Sequence, residues 1–220
     1  MFVTILKDIQ AVKERDPAAR STLEILLTYP GLHALFLHRI AHFFYRNHLK
    51  LIARLLSHIN RFLTGIEIHP GAEIGKGVFI DHGMGVVIGE TAVIKDNVTL
   101  YQGVVLGGTG KERGKRHPTV EKGAVIACGA MVLGSFTVGE NARVGAGAVV
   151  LNSVPANSTV VGVPAKVVIQ DGRRVSKLDH ASVPDPCIQQ VGKMNAQIAL
   201  LEERILQLEE RLKKQELKIS

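Results

Sequence analysis

Between Ile68 and Val150 apolar residues return every six positions, and no other property of this chain limits its fold as severely. Ile68, Ile74 and Ile80 stand six apart, as do Ile88, Ile94, Leu100 and Leu106. The count resumes at Val120, Ile126, Val132, Val138, Val144 and Val150. Four residues after most of these anchors comes a small or β-branched side chain: Ala72, Val78, Ala92, Val98, Val104, Ala124, Ala130, Ala142 and Ala148. A helix repeats its apolar face every 3.6 residues and a half-buried strand every 2, so a sustained period of six fits neither. It fits a chain that makes a short strand, turns a corner and repeats, with Gly, Asn and Asp at the corners. Such a chain is a parallel β-helix, each coil burying its apolar row against the next.

The flanks read differently. Residues 1–63 predict a helical domain, with Asp16-Pro17-Ala18 as a helix start and Pro30-Gly31 as a break before another helix. In that second helix Leu32, Leu35, Phe36, Ile40 and Phe43 make an apolar stripe, and His38 and His42 share a face as a packed or surface pair. Residues 64–170 form the solenoid, closed by Val160-Val161-Gly162-Val163-Pro164-Ala165-Lys166, and residues 171–187 read as a linker. Residues 188–220 carry heptads, with Ile198, Leu201, Ile205, Leu208 and Leu212 alternating four and three apart as in a coiled coil. The fold class is α+β: helices, a parallel β-helix and a coiled-coil tail.

Composition narrows the function. The chain is 46% apolar without a tryptophan, yet no uninterrupted apolar run is long enough to span a bilayer. Lys7 and Asp8 break any signal-peptide core, and Cys128 and Cys187 form no redox or metal motif, so a reduced, cytoplasmic setting is expected. The formal charge of +7 comes without a helix-turn-helix, a finger or an aromatic-basic platform, so nucleic acid is not an expected partner. Lys111, Arg113, Lys115 and Arg116 instead gather beside a glycine run, as a solvated loop or a pocket for a small phosphorylated molecule.

The repeat is broken twice: the spacing is eight from Ile80 to Ile88, around Asp81-His82-Gly83, and fourteen from Leu106 to Val120. A packing repeat needs no exceptions, so the exceptions are where function is expected. Together, Asp81-His82-Gly83, Gly89-Glu90-Thr91-Ala92, Gly107-Gly108-Thr109-Gly110, Arg116-His117-Pro118 and Gly162-Val163-Pro164-Ala165-Lys166 closely resemble the bacterial serine O-acetyltransferases over roughly residues 10–170. The resemblance implies a left-handed coil, a homotrimer or dimer of trimers with sites between subunits, and acetyl-CoA and L-serine as substrates. It also implies feedback inhibition by cysteine, and a cysteine synthase partner held by a tail ending in isoleucine. This chain ends Lys218-Ile219-Ser220, so that partnership is not expected here.

Acetyl transfer from a thioester to an alcohol needs a base for the hydroxyl proton and a carboxylate to orient that base. His82 is the expected base. Glu67, fifteen residues earlier at a position commonly Asp in the family, is its expected orienting carboxylate. The resemblance assigns the serine carboxylate to Arg116, whose fork suits two-point contact, with His117 beside it. Asp81 and Asp16 are expected at the ammonium, with Asp16 alternatively a helix cap. Gly108, Thr109 and Gly110 suit close approach of coenzyme A, with Cys128, Ala146 and Lys166 along the same groove and no metal expected. A sugar or antibiotic O-acetyltransferase is the alternative enzyme, and a scaffold that binds no coenzyme A the alternative outside catalysis. A zinc hydratase of the γ-carbonic anhydrase type needs a third imidazole soon after His117, but Lys122 stands there and no histidine occurs from 118 to 179.

Overall fold

The computed structural model describes residues 2–110, 113–168, 194–195, 197–198, 200–201 and 204–205. The chain divides into two compact units, Met1–Pro184 and Asp185–Ser220. The described residues of the second unit are helical, with Met194, Ile198, Leu201 and Ile205 about half exposed. The expected linker at 171–187, the heptad positions Leu208 and Leu212, and the terminal Ile219-Ser220 lie outside the described residues.

The first unit opens with α1 (Phe2–Arg15), α2 (Thr22–Thr28), α3 (Pro30–Arg46) and α4 (Lys50–Thr64). The helix start expected at Asp16 is not there. α1 runs up to it, the Asp16 N–H donates to Val12 O, and the true cap of α2 is Ser21, whose Oγ accepts from Glu24 N at 3.1 Å. Glu24 also accepts from Arg20 N, the residue before the cap, at 3.1 Å, so the start at Ser21 is held from both sides and Asp16-Pro17 is passed over. α3 does start at Pro30, but it buries Gly31, Leu32, Ala34, Leu35, His38 and Ala41. Phe36 and Phe43 of the expected stripe point outward, at 38% and 63% exposure. The smaller face wins because the helix lies hard on the solenoid: a Cβ on Gly31 would stand 2.1 Å from Ile80 O. Buried Asp8 ties the layers together, pairing with Arg39 at 2.6 Å and accepting from Gly77 N at 2.8 Å.

The solenoid strands are β1 (Glu67–Ile68), β2 (Glu73–Ile74), β3 (Phe79–Ile80), β4 (Val87–Ile88), β5 (Val93–Ile94), β6 (Thr99–Leu100), β7 (Val105–Gly107), β8 (Thr119–Val120), β9 (Val125–Ile126), β10 (Met131–Leu133), β11 (Thr137–Val138), β12 (Arg143–Val144), β13 (Val149–Val150), β14 (Thr159–Val161) and β15 (Lys166–Val168). Strands three apart in sequence pair in parallel, so the coil has three faces. The first face runs β1-β4-β7-β10-β13, the second β2-β5-β8-β11 and the third β3-β6-β9-β12-β14. β15 folds back antiparallel on β14 and closes the stack. The period-six anchors are the inward residues, all at most 2% exposed except partly buried Ile74. Removing one, as in Leu106→Ala, leaves a void between rigid coils and costs about 2–5 kcal/mol.

The outward residues differ face by face. On the third face Phe79 is covered by Ile9, Val12, Ile25 and Leu32 of the helices. The second face turns out Glu73, Val93, Thr119 and Thr137. The first face turns out Glu67 and then an uncovered apolar row, Val87, Val105, Met131 and Val149. Both breaks in the repeat lie at edges of this first face.

Candidate active site

At the edge from third face to first, the two extra residues let the chain loop out between β3 and β4. His82 sits there with φ 56°, in the left-handed region that few residues other than glycine adopt. The loop is held because Gly83 N donates to Asp81 O and Gly85 N to Gly65 O at 3.0 Å. The imidazole is 74% exposed, with Asp81 Oδ1 3.9 Å from its Nε2. Glu67 is on the same edge, one coil away through the pairing of β1 with β4. Its carboxylate, however, is engaged by Arg61 at 3.2 Å, and no hydrogen bond joins it to His82. Asp16 and Asp81 share two neighbours, Tyr29 and Tyr101. Asp16 accepts from Tyr29 Oη at 2.6 Å and from Ala18 N at 2.8 Å. Burial, the Asp16 bond and the charges of Asp16 and Asp81 push the Tyr29 phenol up to about 12. Burial and the same two carboxylates raise Tyr101. Both carboxylates thus act on the same two phenols, while Arg15, which donates to Thr99 Oγ1 at 3.1 Å, opposes them at Tyr101.

The same edge continues down the stack. Extending the register of β6, β9 and β12 puts Gln102, Cys128 and Ala146 one above another below His82. Adjacent coils are about 4.8 Å apart, so the column from His82 to Ala146 spans roughly 14 Å. Lys166 lies at its closed end, where Ala165 N donates to Val149 O.

At the edge from first face to second the geometry is dense. The His117 ring is 8% exposed and lies flat on the coil, where a Cβ on Gly89 would stand 2.0 Å from its Cδ2. Thr91 fixes it: the Thr91 N–H donates to Nδ1 at 3.2 Å, and Thr91 Oγ1 meets Nδ1 at 2.9 Å while accepting from the backbone N–H of Arg116 and His117. An Nδ1 that accepts leaves the proton on Nε2, which makes that nitrogen a donor. Burial, and then the neighbouring Arg116 charge, lower the His117 pKa and keep the ring neutral. Arg116 Nη2 donates to Glu90 Oε2 at 2.6 Å, and Tyr45 Oη donates to Glu90 Oε1 at 2.9 Å. Gly108 sits against both residues, since a Cβ there would be 3.0 Å from Arg116 Cγ and 3.1 Å from His117 Nε2. Thr109 and Gly110 stand exposed at the mouth of this loop.

The expected residues thus form two groups on opposite edges of the first face: His82, Glu67, Asp16 and Asp81 with Cys128, Ala146 and Lys166, and Arg116 and His117 with Gly108, Thr109 and Gly110. Glu90, Thr91, Tyr45, Gln102 and Tyr29 join these groups without being expected there from the sequence. Glu90 and Thr91 were visible as the polar centre of Gly89-Glu90-Thr91-Ala92, whereas Tyr45 and Tyr29 reach their partners from helices and carry no motif.

A family model described as "Serine acetyltransferase, N-terminal" matches residues 1–36. The serine acetyltransferase of Bacillus subtilis (strain 168) is 56% identical over 214 residues, covering 96% of this chain and 99% of that protein. The chain belongs to the serine acetyltransferase family. Among solved members, a serine acetyltransferase of Brucella abortus strain S19 in complex with coenzyme A is 44% identical, with TM-score 0.75 over 79% of this chain and 69% of that one. A Neisseria gonorrhoeae serine acetyltransferase in complex with serine is 42% identical, with TM-score 0.74 over 76% of this chain and 69% of that one. Members of the family so named share with this chain both the stacked coil and its helical preface.

Proposed function

We propose that this chain transfers the acetyl group of acetyl-CoA to the hydroxyl of L-serine at a site completed by two copies of itself. The single observation that carries the reading is the split of the site: one edge holds the base and ammonium pocket, the other the carboxylate-binding arginine, with an apolar face between them. Among the described residues no helix packs on Val87, Val105, Met131 and Val149 of that face, and Met131 is 43% exposed. Copies that bury this row around a common axis bring the His82 edge of one against the His117 edge of the next. Such a head-to-tail contact closes into a ring, and the family resemblance makes the ring a trimer. α4 supports a further association into a dimer of trimers, because Leu51, Leu55, Ile59 and Phe62 line its exposed side.

In this arrangement serine lies with its ammonium at Asp16 and Asp81 and its carboxylate at Arg116 and the Nε2–H of His117. His82 removes the hydroxyl proton as the oxygen attacks the thioester carbonyl. The tetrahedral intermediate then collapses, the C–S bond breaks, and the imidazolium returns the proton to the departing thiolate. The products are O-acetylserine and coenzyme A. Glu67 turns from Arg61 to orient the imidazole. The acetyl-CoA arm runs past Gly108–Gly110 and down Cys128 and Ala146 to Lys166 at the closed end, where an ammonium group suits a phosphate.

The same reading takes the coil as left-handed, residues 1–63, 64–170, 171–187 and 188–220 as its divisions, and the tail as a coiled coil. The exposed Ile198, Leu201 and Ile205 favour that tail. No helix among the described residues is long and apolar enough to cross a membrane, and we place the reaction in the cytoplasm. Thiol release from acetyl-CoA in the presence of L-serine, set beside a sugar panel and a light-scattering mass, tests the whole. Equal rates with sugars would replace the acceptor, and absence of coenzyme A binding would favour a scaffold.

A further inference from the structure

Arg116 is held before any substrate arrives. Its Nη2 donates to Glu90 Oε2 at 2.6 Å, and the other Glu90 oxygen accepts from Tyr45 Oη of α3. Its Nη1 makes only a long 3.5 Å contact with Gly114 O that an incoming carboxylate can displace. The tyrosine is itself fixed, with its ring edge-on to His69 at 5.8 Å and Lys50 Nζ 5.8 Å from its centroid. His69 is locked in turn, its Nδ1 accepting from Gly71 N at 3.0 Å. The backbone N–H of Arg116 is pinned to Thr91 Oγ1, next in sequence to Glu90. We propose that Tyr45 and Glu90 form a brace that occupies one edge of the Arg116 guanidinium and presents its other edge to the acceptor's carboxylate. This rests on the assignment of Arg116 to that carboxylate.

Two physical consequences give the brace a role beyond stapling α3 to the coil. A guanidinium on a loop rich in glycine loses several rotatable bonds on binding, and a preset rotamer removes that cost from the binding step. Glu90 also sets a negative charge against Arg116, on a loop that carries Arg113 and Lys115 as well and would otherwise attract phosphate dianions as readily as a carboxylate. Hydrogen bonds from Arg116, and then Tyr45, hold the Glu90 carboxyl below its usual range, so the charge persists at neutral pH. The brace therefore favours a zwitterion with a single carboxylate over phosphorylated competitors. Tyr45 and Glu90 are positioning residues, acting through Arg116.

The test is steady-state kinetics on the full chain with Glu90→Ala, Tyr45→Phe, Arg116→Ala and the Glu90→Ala/Arg116→Ala double variant. Glu90→Ala is expected to raise the serine KM roughly tenfold to a hundredfold and Tyr45→Phe roughly two- to fivefold, with the acetyl-CoA KM moving less than about twofold. In the Arg116→Ala background, Glu90→Ala should add less than about twofold, because residues acting through one another are not additive. Inorganic phosphate should compete with serine in Glu90→Ala and not in the parent protein. A rise in both KM values together, an additive double variant, or a fall in melting temperature with unchanged KM would reduce the brace to a staple and overturn the proposal. An unchanged serine KM in Arg116→Ala would remove the carboxylate assignment and the brace with it. A raised KM in Arg116→Ala with none in Glu90→Ala would remove the brace alone. If Glu90→Ala folds poorly, Tyr45→Phe decides: it deletes one oxygen, and an unchanged serine KM overturns the brace.

Discussion

At the His117 edge the ring is 8% exposed, its tautomer set by Thr91 and its neighbouring arginine bound on one side. At the His82 edge the imidazole is 74% exposed, and Glu67 is bound to Arg61 instead. One chain finishes the edge proposed to bind and leaves open the edge proposed to react. A base in bulk water gains little from a nearby carboxylate, because charge interactions are screened there; covered by a second protein surface, the same pair strengthens. In the proposed assembly, packing across the first face would serve catalysis directly, by drying and completing the His82 edge.

The strongest way to break this comparison is to prevent assembly. Met131→Glu puts a charge in the middle of the apolar row, and the light-scattering mass should fall to one chain with loss of nearly all acetyl transfer. A fully active monomer would show that one chain completes its own site. His82→Ala should cost about 10²–10⁴ in rate, the usual worth of a positioned base, while calorimetry still shows coenzyme A binding. Glu67→Gln should lower turnover less, and an effect on serine KM alone would deny it the orienting role. Retention of more than about a tenth of the parent rate in His82→Ala would move the base elsewhere.

Arg116→Ala probes the finished edge. A charge-assisted contact in a partly dry site is worth about 1.5–3 kcal/mol, so the serine KM should rise at least about tenfold while acetyl-CoA is barely affected. A loss of acetyl-CoA affinity instead would make the loop a phosphate clamp.

The smallest effect is one of pH. Burial, chiefly, lowers the pKa of His117, and it holds His38 down at about 3. Depressed bases bind fewer protons folded than unfolded. Their contribution is complete above the ordinary imidazole value and drains away as the pH falls from about 6.5 toward the folded value. The slope is up to about 1.4 kcal/mol per pH unit for each histidine. Melting temperatures should decline through this window, and His38→Leu should flatten the decline. An unchanged slope in that variant would place the acid sensitivity elsewhere.

The coil was legible in the sequence because its cause is local. Each anchor packs on the anchor of the next turn, so a period of six runs from residue to core, and both breaks in the period fall at the edges where the candidate site residues gather. Asp81, His82, Arg116 and His117 became candidates that way. Asp16 was legible only as a choice, since the same carboxylate suits a helix cap and an ammonium. The Ser21 cap starts α2 later, so Asp16 does not cap that helix.

The sequence by itself determined the stacked coil, its closing segment and the two loops where a side chain escapes the repeat. Only the tertiary structure decided that those loops lie on opposite edges of one uncovered apolar face. It alone showed that Glu67 is taken by Arg61, and that Tyr45 reaches Glu90 across forty-five residues of chain. The reason is physical: a repeat is specified by near neighbours, whereas a helix laid across the coil brings together side chains whose separation in sequence encodes nothing about their contact.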